Sequence, residues 1–289
     1  MAKVVDRIHA QTGRPAFICD YSPPRSGRPD DVPAPPQSAD FISAAYNPGR
    51  AVRMNPVATA AVLRERHGAD PIFTLATRDM NRLALESLLL GAQALGLENV
   101  IVVAGDAFGP RDTAAAVYDY RPTELIAAIT NLNSGADHRG SNLRSPSDFC
   151  IGATVDLGRG VESEALLAVR KVAAGADFLI TQPVFDPAEI GRFTDACARA
   201  HGEALSVPVF YGVGLMDADG VSFAAVPQWV TDDLAAGRSG VDVALQIWEE
   251  LRGAGATDCY LVPPIRRSGA RDYDAAGRFL EGAGPTAPV

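Results

Sequence analysis

Eight short apolar runs, each four to seven residues long, punctuate this chain, and stretches of helical character lie between most of them. The runs are AFICD (16–20), FISAA (41–45), PIFTL (71–75), VIVVA (100–104), FCIGATV (149–155), FLIT (178–181), VPVFY (207–211) and CYLV (259–262). None alternates apolar with polar residues, as expected of strands covered on both faces of a parallel sheet. Between them, Asn55 caps a predicted helix that has Pro56 at its first position and runs to His67. A second predicted helix over 80–95 carries Leu83, Leu85, Leu88, Leu89 and Ala92 and stops at Gly96. Further helical stretches fall at 123–132, 163–174, 187–199 and 241–251. This alternation predicts an α/β fold, a single (β/α)8 TIM barrel with long βα loops. The alternative, a doubly wound sheet, calls for GxGxxG after the first strand. That turn instead reads Tyr21-Ser22-Pro23-Pro24-Arg25, and no GxxxxGK[ST] loop occurs either.

The 289 residues suit one such domain, with an ordered core over about 15–281 and a flexible tail at 282–289. Three stretches read as loops: 22–37 with six prolines, the polar segment 131–147, and 216–239. A net charge of −9 gives no basic field for a nucleic-acid backbone, so nucleic acid is excluded as a partner. No apolar run reaches the roughly 20 residues of a membrane span, and the first residues lack a signal-peptide core, so a cytoplasmic protein is expected. Cys19, Cys150, Cys197 and Cys259 form no CxxC pair, and His9, His67, His138 and His201 are isolated, so no metal site is expected. No GxSxG elbow marks a hydrolase.

In barrels of this kind chemistry sits at the carboxyl ends of the strands. Those ends bring Asp20-Tyr21, Tyr46-Asn47, Thr77-Arg78-Asp79, Gly105-Asp106, Asp156, Thr181-Gln182-Pro183, Tyr211-Gly212 and Pro263-Pro264 to one mouth. Arg78 and Asp79 also suit a local ion pair, and Asp106 also suits a helix cap. Asp20 ends an apolar strand, where burial would weaken its acidity. A carboxylate beside an amide, such as Asp106 and Gln182, matches the amino-pyrimidinone edge of a pterin or guanine.

Four phrases resemble the methylenetetrahydrofolate reductase family. They are DYSPPR (20–25), DFISAAY (40–46), NRLALESLLLGAQALGLENVIVVAGD (81–106) and RKVAAGADFLITQPVFD (170–186), and they occur in the family's order. The resemblance implies reduction of 5,10-methylenetetrahydrofolate to 5-methyltetrahydrofolate, a step that supplies methionine biosynthesis. It implies Asp20 at the family's general-acid position, where a glutamate is usual, and Asp106 and Gln182 as pterin ligands; Tyr46 and Tyr211, from their place at strand ends, are further substrate-binding candidates. Lys171 matches a flavin-phosphate contact, and Thr77, Arg78 and Asp156 are further cofactor candidates. The departures are equally specific. Ala45 precedes Tyr46 where a threonine is usual, Ile72 replaces a flavin-contacting histidine, and TVDLGRG (154–160) replaces YPExHP. Loss of several contacts to one ligand implies that FAD is absent and that NADH or NADPH passes hydride directly to the folate. A variant that retains FAD, a tetrahydrofolate-dependent methyltransferase on the same barrel, a folate-binding barrel that turns nothing over, and a deazaflavin donor are the rival readings. A homo-oligomer is compatible with the sequence.

Overall fold

The computed structural model describes residues 2–10, 13–218, 220, 225–266 and 269–284. Eight parallel strands close into a barrel in sequence order: β1 (Phe17–Tyr21), β2 (Phe41–Ala44), β3 (Pro71–Ala76), β4 (Asn99–Val103), β5 (Cys150–Val155), β6 (Phe178–Pro183), β7 (Val209–Gly214) and β8 (Asp258–Val262), with β8 pairing back onto β1. The expected (β/α)8 barrel is what forms.

The helices are α1 (Val4–Ala10), α2 (Pro56–His67), α3 (Arg82–Ala94), α4 (Pro122–Asn133), α5 (Val161–Ala173), α6 (Ala188–His201), α7 (Gln228–Ala235), α8 (Gly240–Gly253) and α9 (Tyr273–Ala283). Asn55 caps α2 as its sequence predicts, accepting from the Val57 amide. No α-helix joins β1 to β2. The proline-rich stretch crosses there in extended form with one 3₁₀ turn at Pro29–Asp31, because its prolines remove amide donors at six positions. Tyr21 pins this crossover, donating to the Pro33 carbonyl at 2.7 Å and stacking on Tyr273 with ring centroids 4.9 Å apart.

Inside the barrel, alternate residues of each strand fill the axis: Ile18, Phe41, Ile72, Ile101, Phe178, Ile180, Phe210 and Tyr260 pack together. Gly152 belongs to the same interior, where a Cβ would lie 2.4 Å from the Phe178 ring; the missing side chain makes room for the phenylalanine. Outward residues pack a second layer against the helices.

The amino-terminal face of the barrel is closed by α1. Val4 is fully buried in the barrel's own cluster, and its amide donates to Asn99 Oδ1 while Asn99 Nδ2 donates to the Ala2 carbonyl. Carboxylates tie down strand starts on the same face: Asp258 accepts from the Ala16 amide, Asp40 from Phe17 and Asp177 from Ile151. The polar stretch 131–147 also belongs to this face. It leads from α4 into β5 and carries a small antiparallel bridge between Ala136 and Asn142. The stretch 216–239 contains α7, although residues 219 and 221–224 lie outside the described residues. The segment expected as a tail enters α9 as far as Ala283, and its residues 285–289 also lie outside them.

Candidate active site

The carboxyl-terminal rim divides into four groups of side chains. The first joins β1, β2 and β8. Asp20 points inward at the end of β1, level with Ser43 on β2, and is 6% exposed. Tyr260 reaches it from β8, donating to Asp20 Oδ1 at 3.1 Å, and Ser43 bonds the same phenol. Burial, then the adjacent Asp20 carboxylate, push the Tyr260 phenol well above its ordinary 10.0. Beyond β8 the chain doubles back through an antiparallel bridge between Ile265 and Arg271, which lays Arg271 Nη2 2.7 Å from Asp20 Oδ2. Both members of this ion pair are less than a tenth exposed. The apolar setting expected around Asp20 is therefore replaced by a polar one, with a phenol on one oxygen and a guanidinium on the other.

The second group joins β2, β3 and β4. Arg78 is 3% exposed and chelates the neighbouring Asp79 through Nε and Nη2. Its Nη1 donates to the Asp106 carbonyl at 2.7 Å, and its guanidinium lies 4.2 Å from the centre of the Phe108 ring. Of the two readings of Arg78, the local ion pair is the one that forms. The arginine acts as a strut that fixes the backbone of Asp106, whose side chain stays exposed at the rim. Gly105 allows the turn, with φ of +84° and Arg78 and Ala76 pressed against its α-carbon side. Tyr46 bonds Asp79, and burial with that carboxylate pushes its phenol up to about 12. Thr77 is fully buried, its amide donating to the Val103 carbonyl and its hydroxyl to the Ala104 carbonyl.

Gln182 is the centre of the third group. The pairing of β6 with β7 slips between Ile180 and Pro183, and Thr181 Oγ1 fills the gap, donating to the Gln182 carbonyl and accepting from the Gly212 amide, both at 2.8 Å. This bulge presents Gln182 to solvent at the rim. A Cβ on Gly212 would lie 2.5 Å from the Gln182 carbonyl group, so the close approach requires glycine. Tyr211, in contrast, faces outward. It is 5% exposed, packs in the outer layer and bonds Thr194 on α6, which removes it from the substrate side.

In the fourth group, Lys171 on α5 reaches back to β5, donating to the Thr154 carbonyl at 2.5 Å. Burial lowers its pKa, with Glu164 opposing that shift. Glu164 also accepts from the Asp156 amide, and the Asp156 side chain lies 3.7 Å from Arg159. All four cysteines are buried and free, and among the described residues no three His, Cys, Asp or Glu side chains converge as a metal site would need. Among those residues, too, no helix is long and apolar enough to cross a membrane.

Sequence reasoning missed Tyr260 and Arg271. Tyr260 was legible only as the second residue of an apolar strand, and its inward direction depends on register. Arg271 belongs to an arginine-rich stretch with no periodicity to separate one arginine from the next.

Fold and rim together define a TIM barrel with its polar groups collected on the face where such barrels carry their chemistry. The family model described as methylenetetrahydrofolate reductase matches residues 7–240, and the chain belongs to that family. Among solved structures, an uncharacterized protein from Clostridium thermocellum that binds two copies of 5-methyl-5,6,7,8-tetrahydrofolic acid superposes with a TM-score of 0.65 at 10% identity, over 97% of each chain. A lyase/mutase candidate from Burkholderia cenocepacia J2315 gives a TM-score of 0.48 at 18% identity, over 94% of this chain and 80% of the other. At 10% identity the first likeness is one of fold.

Proposed function

We propose that the protein reduces 5,10-methylenetetrahydrofolate to 5-methyltetrahydrofolate, taking hydride directly from NADH or NADPH. The observation that carries this reading is the family match over 7–240, coupled with Asp20, Asp106 and Gln182 at the carboxyl ends of β1, β4 and β6. The neighbour that binds 5-methyltetrahydrofolate supports a folate as the ligand of such a barrel. Asp106 and Gln182 are positioned to take the polar edge of the pterin. Opening of the five-membered ring needs a proton at N10 and leaves an iminium at N5. Asp20, protonated from solvent in each turnover, is the proposed proton source, and Arg271 and Tyr260 stabilise the carboxylate that remains, which in turn faces the cation. Hydride from the nicotinamide then adds to the methylene carbon, and proximity of the stacked rings carries much of the rate.

On this reading FAD, the family's general cofactor, is not used, and the side chains at the positions that resemble its contacts are engaged within the protein. Lys171 is spent on the Thr154 carbonyl and Arg78 on Asp79, Thr77 is buried, and Ile72 lies inside the barrel packing. The expected cellular setting is the cytoplasm, where folate and nicotinamide pools meet.

Freshly purified protein, with and without added FAD, should be mixed with methylenetetrahydrofolate and NADH and followed by NADH absorbance. Equal turnover in both samples supports the proposal. Turnover only after FAD is added rejects the flavin-free route, and none in either rejects the reductase.

A further inference from the structure

Three arginines meet at the Asp20 corner of the mouth: Arg53 and Met54 donate to the carbonyls of Pro23 and Pro24, next to Arg25, and Arg53 Nη2 lies where a Cβ on Gly269, two residues before Arg271, would come within 2.9 Å of it. Arg271 is 7% exposed at its side chain and gives Nη2 to Asp20, but its Nε is buried without a partner. Arg53, on the segment before α2, gives Nη1 to the Pro23 carbonyl at 2.9 Å, and its Nε is likewise buried and unpartnered. Its pKa is lowered by burial first, and then by the positive charges of Arg25 and Arg271 beside it. Arg25, in the proline-rich crossover, is exposed. Among the described residues neither Arg25 nor Arg53 is paired with a carboxylate.

Asp20 thus answers one of three guanidinium charges, in a chain whose net charge is −9. Buried donors without acceptors, and like charges held together, are both unfavourable unless an anion completes them. Guanidinium groups are shaped to take phosphate or carboxylate oxygens in pairs. Phosphate sites in barrels also recur at the loops after the last strands, where Arg271 lies.

We propose that Arg25, Arg53 and Arg271 form an anion subsite that takes the pyrophosphate of the dinucleotide hydride donor. The inference rests on the reductase reading. Anionic groups enter such a mouth on both substrates: the pyrophosphate of the donor, with a 2′-phosphate at the far adenosine end of NADPH, and the carboxylates of the folate tail. The corner adjoins Asp20, at the reacting end of the substrates. In the dinucleotide the pyrophosphate is one ribose away from the nicotinamide. In folate the carboxylates lie beyond a rigid p-aminobenzoyl amide, which carries them outward past the rim. The pyrophosphate is therefore the anion that reaches this corner while the rings are in contact.

The test is calorimetric titration of ADP-ribose, and separately of 5-methyltetrahydrofolate with one and with three glutamates, into wild type, Arg25→Gln, Arg53→Gln and Arg53→Lys. Loss of one charged hydrogen bond corresponds to about tenfold in affinity or more. ADP-ribose binding should weaken by that factor in Arg25→Gln and Arg53→Gln and by less in Arg53→Lys, while both folates bind as before. Arg25 is exposed, so its variant reads the charge free of any folding defect. Unchanged ADP-ribose affinity, absence of ADP-ribose binding by wild type, or weakening confined to the triglutamate would overturn the subsite. Neither titration depends on turnover. Wild-type protein that binds ADP-ribose through these arginines but does not oxidise NADH with methylenetetrahydrofolate keeps the subsite and loses the reductase reading. NADH oxidation with unaltered ADP-ribose affinity in the variants does the reverse.

Discussion

Asp20 shows how much one side chain depends on groups that its own segment does not contain. Its place at a strand end was readable from DYSPPR, yet its two partners come from β8 and from the hairpin after it, some 240 residues away. Replacing Asp20 by Asn keeps the shape and removes the acid, so turnover should fall by roughly a hundredfold or more, the usual size of a general-acid effect. Steady-state assays of the folded variant check this; near-normal turnover would remove Asp20 from the role. Six tyrosines, Tyr21, Tyr46, Tyr120, Tyr211, Tyr260 and Tyr273, have phenols pushed above 10.0, with burial the first cause in each. The unfolded chain releases these protons near pH 10 and the folded one holds them, so the unfolded state binds fewer protons and stability falls as pH rises above 10. Tyr211, at about 12, is one clear contributor. Tyr211→Phe should flatten denaturation-derived stability against pH between 10 and 12 by about 1.4 kcal/mol per pH unit. A slope equal to that of wild type contradicts the assignment.

At the level of elements, the strands were legible because a strand buried on both faces must be apolar throughout, and the long helices because Asn55, Pro56 and Gly96 mark their ends. Three helices were not. The helices α1 and α7 have only seven and eight residues, too few for a period to show, and α9 contains Gly277 and Gly282, which read as loop or tail. The bulge in β6 was equally hidden, since nothing in TQP states that Thr181 will bridge to Gly212. Yet that bulge aims Gln182. Gly212→Ala places a Cβ against the Gln182 backbone and should cost about 1–3 kcal/mol of stability. It should also raise KM for the folate more than KM for NADH, because the residue displaced, Gln182, is the proposed pterin ligand. Equal changes in both constants would contradict that division of the rim. Tyr211 and Thr77 were assigned to ligands from chain position alone; side-chain direction, which alternates along a strand, sends Tyr211 into the outer layer and leaves Thr77 fully buried.

For the molecule as a whole, the barrel sorts its polar groups by face. Carboxylates on the amino-terminal face tie strand starts together and, through Asp70 and Asp40, pair with Arg7 of the plug formed by α1; those on the opposite rim stand among arginines, tyrosines and an exposed amide. Isotope tracing separates direct passage of hydride from nicotinamide to folate from passage through a carrier. The protein is given NADH carrying deuterium at the transferred C4 position, and the 5-methyltetrahydrofolate formed is weighed by mass spectrometry. Direct transfer retains the label, so each product molecule gains one deuterium in its methyl group. A reduced flavin would exchange that hydrogen with solvent before passing it on, and unlabelled product would contradict the account.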